Sequence, residues 1–398
     1  MNQRLLLRAT GPARANQLAT LSQTLDDSGI QLLDIDQRVT LGQAVLEALI
    51  EGDEMPSLQA VSDATGLELS LHEIDQATYE YWEGRHQVSG LIMTLMAAQL
   101  PAGLLAQVDR WIGKQGLVIE RMQRLSGSFS LIERVPVEGV CLEYHLRGEA
   151  MDIDVFRQEL LALGAEQGVD IVLQEDSPWR HQRRLICFDM DSTLIKAEVI
   201  DELARRHGVY EAVAAITERA MRGEIDFQQS FRERMAMLNG LSESVLEEVA
   251  DGLELMDGLE CLMASLKRLG YRTAILSGGF TYFARYLQKR LGFDEVHANE
   301  LVIENGIVTG EVHLPIVDAE RKAVLLREIA ERHGIAPEQT VAVGDGANDL
   351  KMLAEAGLGV AFHAKPLVRQ KARMSLSVLG LDAILYLLGH DAHCRMQG

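Results

Sequence analysis

The chain has no Cys-x-x-Cys pair, and its four cysteines, Cys141, Cys187, Cys261 and Cys394, are scattered. That spacing excludes the usual zinc frameworks and a disulfide scaffold, and it fits reduced thiols in a core. Long hydrophobic runs are also missing, so no segment approaches the length of a membrane span. The stretch Leu5-Leu6-Leu7 is too short for a secretory signal. Positive charge is scarce. Lys and Arg number 38 against 59 Asp and Glu, a net charge of −21. Such a balance argues against nucleic acid or an anionic membrane as partner. There is no Gly-x-x-x-x-Gly-Lys-Ser/Thr segment, which excludes a P-loop, and Gly344-x-Gly346 lacks the third glycine of a dinucleotide fingerprint. The expectation is a cytoplasmic protein acting on a small molecule.

What is present starts at Asp189-Met190-Asp191-Ser192-Thr193, directly after the apolar run Leu185-Ile186-Cys187-Phe188. The run reads as a buried parallel strand. Burying an ionised carboxylate is costly without a cation or hydrogen bonds, so two of them at a strand end want compensation. The carboxyl ends of parallel strands are where open α/β sheets bind ligands. An EF-hand is excluded, because its sixth and twelfth positions would be Leu194 and Ile200 rather than Gly and Glu.

The pattern of apolar strand followed by polar loop recurs twice. Thr273-Ala274-Ile275-Leu276 leads to Ser277-Gly278-Gly279, and Thr340-Val341-Ala342-Val343 leads to Gly344-Asp345-Gly346-Ala347-Asn348-Asp349. Between them Lys322 opens a helical pattern carried by Ala323, Leu325, Leu326 and Ile329. If the three strands are parallel neighbours, their loops converge on one site. Its carboxylates would repel a phosphate unless Mg²⁺ bridged them, since that ion is held by one or two carboxylates, phosphate oxygens and water. Ser277 and the glycine amides supply neutral donors, and Lys322 supplies positive charge.

In this order the motifs resemble the haloacid-dehalogenase-like phosphohydrolase superfamily over residues 184–390. The resemblance implies a Rossmann-like α/β core with a parallel sheet and a helical cap at residues 198–256. It also implies Asp189 as nucleophile, Asp191 as acid and base, and Ser277 and Lys322 as groups orienting the phosphoryl. Mg²⁺ would be held by Asp189, Asp345 and the Asp191 backbone carbonyl, with Thr193, Asn348 and Asp349 ordering the surroundings. Within the cap, Glu198 and Phe-x-x-Ser-Phe-x-x-Arg, ending at Arg234, are similar to the phosphoserine phosphatase family. That likeness implies Glu198 on the substrate ammonium and Arg234, rather than its neighbour Arg232, on the carboxylate. Met221, Phe227 and Gly278 would complete the pocket. The implied reaction is hydrolysis of O-phospho-L-serine, the last step of serine biosynthesis. The alternatives are a phosphotransferase, a phosphatase for another small phosphomonoester, and a serine-responsive regulator without activity.

The first half reads as two βαββαβ units. Strands are expected at residues 4–9, 30–39, 44–50 and 68–74, with helices at 16–28 and 57–65. The order repeats with strands at 88–97, 118–125, 140–146 and 170–174 and helices at 101–114 and 154–167. Each unit fits a ferredoxin-like α+β sandwich, and the pair resembles the ACT family of amino-acid-sensing domains. The family's Gly-x-Asp-Arg-Pro-Gly turn is replaced by Gly11-Pro12-Ala13-Arg14-Ala15-Asn16. This places a homodimerisation platform ahead of a sensor. The expected domains are 1–82, 83–176 and 177–398, and the polar, Pro-containing stretch 176–184 reads as a linker.

Overall fold

The structure, a computed structural model, describes residues 3–52, 57–84, 90–127, 131, 139–148, 150 and 152–394. The chain divides into two compact units, Met1–Val88 and Ser89–Gly398. In the first, β1 (Gln3–Pro12), β2 (Gln31–Thr40), β3 (Gln43–Gly52) and β4 (Glu68–Glu73) form an antiparallel sheet in the order β2-β3-β1-β4. Leu5, Leu7 and Ala9 alternate along β1, as a strand with one covered face requires. They pack with Leu21, Leu25 and Val61 of the helices Gln17–Asp27 and Leu58–Thr65. A further helix, Gln76–Gly84, was not expected from the sequence.

The second unit opens with the same arrangement. Its strands β5 (Leu91–Ala97), β6 (Val118–Arg124), β7 (Val140–Arg147) and β8 (Asp170–Glu175) are ordered β6-β7-β5-β8, with helices Ala102–Lys114 and Ile153–Gln167. Here β5 is buried at every residue. Met93 and Leu95 face the helices, whereas Met96, with Cys141 and Val172, belongs to the core of the catalytic half. Both faces of this sheet are covered, which explains why β5 is apolar at every position but Thr94 where β1 alternates.

The catalytic half is a parallel sheet built from β9 (Leu185–Phe188), β10 (Arg272–Phe280), β11 (Glu295–Asn299), β14 (Thr340–Gly344), β15 (Leu358–Phe362) and β16 (Met374–Leu376). The order is β11-β10-β9-β14-β15-β16. The central strand β9 therefore lies between β10 and β14, and the three motif loops leave adjacent strand ends. Helices Val199–His207, Tyr210–Met221, Phe227–Ala236 and Ser244–Asp251 form the expected cap. An antiparallel hairpin, β12 (Leu301–Glu304) and β13 (Ile307–Val312), joins it through Gly240 N–H to the Val308 carbonyl at 2.9 Å.

The stretch expected as a linker is packed structure. Residues Pro178–Gln182 form a 3₁₀ helix in which Arg180 is buried. Its guanidinium donates to Glu143 of β7 and to the Tyr386 and Leu387 carbonyls, at 3.1 and 3.3 Å for the last two. The Asp170 carboxylate accepts the Ser377 and Val378 backbone N–H groups, each at 2.8 Å from Oδ2. The misreading has a physical cause: Arg180 looks like solvated surface until its distant partner Glu143 is known.

Burial alone would raise the Glu143 carboxyl, but His145 and Arg180 outweigh it and hold it at about 2, below its ordinary 4.5. Its stabilisation is full above pH 4.5 and is lost as pH falls through that interval. Glu143→Gln leaves Arg180 uncompensated, so denaturant titration should show a loss of about 3–5 kcal/mol at neutral pH. Glu143→Gln combined with Arg180→Met should recover part of it. The gap from the wild type should narrow as pH is lowered below 4.5. An unchanged midpoint for the single variant contradicts this account.

Candidate active site

Asp189 and Asp191 leave β9 in a tightly held loop. The Asp189 N–H donates to the Val343 carbonyl at 2.9 Å, and the Leu194 N–H to the Met190 carbonyl at 2.8 Å. Ser192 takes a left-handed φ of 58°, uncommon for a residue with a side chain. Its hydroxyl donates to Glu198 at 3.0 Å. Asp191 Oδ1 accepts the Val199 N–H at 3.1 Å. That N–H belongs to the first turn of a cap helix, where backbone donors lack helical partners and the dipole favours an anion. Cap and catalytic loop are thus joined at Asp191. From β10, the chain passes so close that a Cβ at Gly279 would lie 2.5 Å from Asp191 Oδ2. A side chain there would force Asp191 to shift.

Lys322 is completely buried in the first turn of the helix Ala319–Arg332, whose N-cap Asp318 accepts the Arg321 N–H at 2.9 Å. Its ammonium donates to Asp189 Oδ1 and Asp349 Oδ1, both at 2.7 Å. The other Asp349 oxygen accepts the Gly346 N–H at 2.9 Å. Thr193 donates to Asp345 at 3.2 Å. Ser277 is enclosed, with its oxygen accepting the Gly279 N–H at 2.9 Å. All four motifs therefore meet in one place.

Burial, then the Asp349 carboxylate, push Asp189 well above the usual carboxylate range, against the pull of Lys322. Burial and Glu198 push Asp191 up to about 8, and burial and Asp349 push Asp345 up to about 6. Burial opposes the Lys322 ammonium, but Asp189 and Asp349 outweigh it and raise its affinity for the proton. One lysine does not offset this much acid. Carboxylate oxygens of Asp189, Asp345 and Asp349 come within 4.8 Å of one another. An all-oxygen, strongly acidic donor set of this kind fits a hard divalent cation.

Above the cluster is a cavity of about 560 Å³ lined by Asp191, Glu198, Phe227, Arg234, Gly278 and Asn348, among others. Arg232 is exposed, whereas Arg234 is on the wall with its Nε enclosed and without a hydrogen-bond partner. The Met221 side chain lies outside the described residues. Asp201, Thr217 and Lys365 also line the cavity and were not singled out from sequence. Lys365 follows β15, so the strand-then-polar-loop signal was available for it. Buried Asn299 was missed too. It donates to the Gly278 carbonyl at 2.8 Å and accepts the Val317 N–H at 2.7 Å, tying the β10 loop to the segment before Lys322.

Residues 183–357 match the haloacid dehalogenase-like hydrolase family, and residues 3–77 match the ACT domain. The chain is 37% identical to phosphoserine phosphatase SerB2 of Mycobacterium tuberculosis over 97% of its own length and 93% of that protein. It is 39% identical to a phosphoserine phosphatase of Streptomyces coelicolor, covering 97% and 92% respectively. A crystal structure of a HAD family hydrolase from Salmonella enterica serovar Typhi superposes with a TM-score of 0.66 at 32% identity, covering 75% of this chain and 98% of that one.

The buried pairs of Lys322 with Asp189 and Asp349 predict a role in stability as well as in charge. Lys322→Met should cost about 3–5 kcal/mol in denaturant unfolding, because it strands two buried carboxylates. Lys322→Arg should not restore the loss, since the larger fork has no room in a fully enclosed position. Wild-type stability in Lys322→Met would refute the clamp.

Proposed function

The chain belongs to the phosphoserine phosphatase family, and we propose that it hydrolyses O-phospho-L-serine to L-serine and phosphate through an aspartyl-phosphate on Asp189, completing serine biosynthesis. One observation carries the choice of substrate. The lining of the cavity over the acidic cluster includes a carboxylate, Glu198, and a guanidinium with an unpaired N–H, Arg234. An α-amino acid carries the complementary ammonium and carboxylate, and a guanidinium fork suits a carboxylate best.

Chemistry follows from the positions. An Asp189 carboxylate oxygen attacks phosphorus, forming an acyl phosphate as the P–O bond to serine breaks. Asp191, whose proton affinity burial and Glu198 raise, gives its proton to the leaving serine oxygen. A water entering from the same side then loses a proton to Asp191 and attacks phosphorus, which breaks the bond to Asp189 and releases phosphate. Lys322 holds Asp189 in line through Oδ1, and the Ser277 hydroxyl and Gly278 backbone present donors to the phosphoryl oxygens. Asp189, Asp345 and the Asp191 carbonyl would hold Mg²⁺, with Asn348 and Asp349 ordering that shell. When bound, this ion reduces the repulsion between anionic nucleophile and anionic substrate.

The setting proposed is a cytoplasmic homodimer. Four free thiols support a reducing compartment. The exposed Leu32, Ile35 and Val39 on edge strand β2 support pairing through the first sheet.

Phosphate release from O-phospho-L-serine should stop on addition of EDTA and return with Mg²⁺. Mg²⁺ should also raise the melting temperature of the wild type and not of Asp345→Asn. EDTA-insensitive turnover counts against the metal. Arg234→Ala should lower kcat/KM on phosphoserine by about 10- to 1000-fold and leave p-nitrophenyl phosphate, which has no carboxylate, nearly unaffected. Equal losses on the two substrates would make Arg234 a structural residue.

A further inference from the structure

A second cavity, of about 310 Å³, lies within the Ser89–Gly398 unit and shares no wall residue with the substrate cavity. One side is made by Arg157 of the helix Ile153–Gln167, by the end of β8 and by Trp179 of the 3₁₀ turn. The other is made by Leu350 and Leu353 of the helix Leu350–Glu355 and by the segment from Lys371 to Met374. The cavity is thus a seam between the second βαββαβ sandwich and the catalytic sheet.

Its charge runs against that of the molecule. The wall carries Arg157, Arg180, Arg183, Lys371 and Arg373 against Glu175 and Glu338, in a chain of net charge −21. Arg180 is committed to Glu143. Arg183, Lys371 and Arg373 form no ion pair among the described residues, and Arg157 pairs only with the exposed Asp154, at 3.0 Å. Arg183 donates from one terminal nitrogen to the Glu338 carbonyl, yet its Nε is enclosed with no partner, and so is the Nε of Arg157. An enclosed N–H left unpaired is costly. Arg234 on the substrate cavity carries the same orphaned Nε. The feature that supports the carboxylate role proposed for Arg234 occurs twice on this second wall.

We propose that this cavity is a second anion site. It takes a small anion, carboxylate or phosphate in character, held by the Arg157 and Arg183 guanidinium groups, with Trp179 beside it and Leu350 and Leu353 against any carbon skeleton. Lys371 and Arg373 add attraction at the rim. The proposal does not depend on which phosphomonoester the catalytic site takes.

The test uses the full chain with Trp82→Phe and Trp111→Phe, which leaves Trp179 as the sole indole. Malonate and inorganic phosphate are titrated separately at constant ionic strength, in EDTA, with Trp179 fluorescence as a local readout. The expected result is a saturable change with at least one probe. Arg183→Gln and Arg157→Gln should each weaken it by about tenfold or more. Exposed Arg373→Gln should weaken it by about two- to fivefold, and Arg234→Gln should not alter it. Saturation by malonate alone identifies a carboxylate site, and by phosphate alone a phosphate site. If Arg183→Gln fails to fold, Arg157→Gln and Arg373→Gln decide. A linear change that chloride reproduces overturns the proposal, as do equal affinity in the Arg157 and Arg183 variants or loss of the signal in Arg234→Gln.

Discussion

Everything in the catalytic half turns on one buried ammonium. Lys322 has no exposure and holds Asp189 and Asp349 at 2.7 Å each. Those carboxylates come from the loops after β9 and β14, and the lysine comes from the helix that precedes β14 in the chain. A charge buried so completely is tolerable only with its partners in place. The two loops and the helix are therefore fixed relative to one another, and parallel neighbours β10, β9 and β14 are the arrangement that lets them meet. The clamp also leaves the site short of positive charge. Burial, with Glu198 acting on Asp191 and Asp349 on Asp345, raises the proton affinity of both carboxyls. In the proposed mechanism, excess acid that would be a defect in an ordinary core serves to hold a cation and to store a proton on Asp191.

The same principle operates at the seam with the second sandwich. Buried Arg180 answers buried Glu143 and caps the Tyr386 and Leu387 carbonyls, while Asp170 takes the Ser377 and Val378 N–H groups. Met96, Cys141 and Val172 enter the catalytic core alongside them. The second sandwich is thus built into the catalytic unit through these buried polar pairs, together with apolar surface on both faces of its sheet. In the first sandwich the helices pack on one face of the sheet, strand β2 at its edge exposes Leu32, Ile35 and Val39, and the unit ends at Val88. Two copies of one βαββαβ plan have been put to different structural uses.

Where the sequence was legible, local chemistry and local periodicity agreed. Apolar runs ending in Asp189, Ser277 and Asp345 were readable as strands with reactive ends, because both signals lie within ten residues. Arg234 was separable from Arg232 only through the family resemblance, and the fold leaves Arg232 exposed and places Arg234 on the cavity wall. The β12–β13 hairpin was missed although Asn305-Gly306 between apolar runs is a strong hairpin signal. Arg180 and Asn299 were illegible for a different reason. Their meaning lies in partners such as Glu143 and the Gly278 carbonyl, distant in the chain and brought close only by the fold.

The central claim is that Asp189, steadied by Lys322, accepts the phosphoryl group. The most direct test mixes the chain with phosphoserine labelled with ³²P, quenches it in acid within milliseconds, and counts label attached to protein. The account predicts a transient acid-stable, base-labile adduct that maps to the peptide containing Asp189 and is absent in Asp189→Asn. Phosphate release without any chain-bound label, or an adduct that persists in Asp189→Asn, would contradict it.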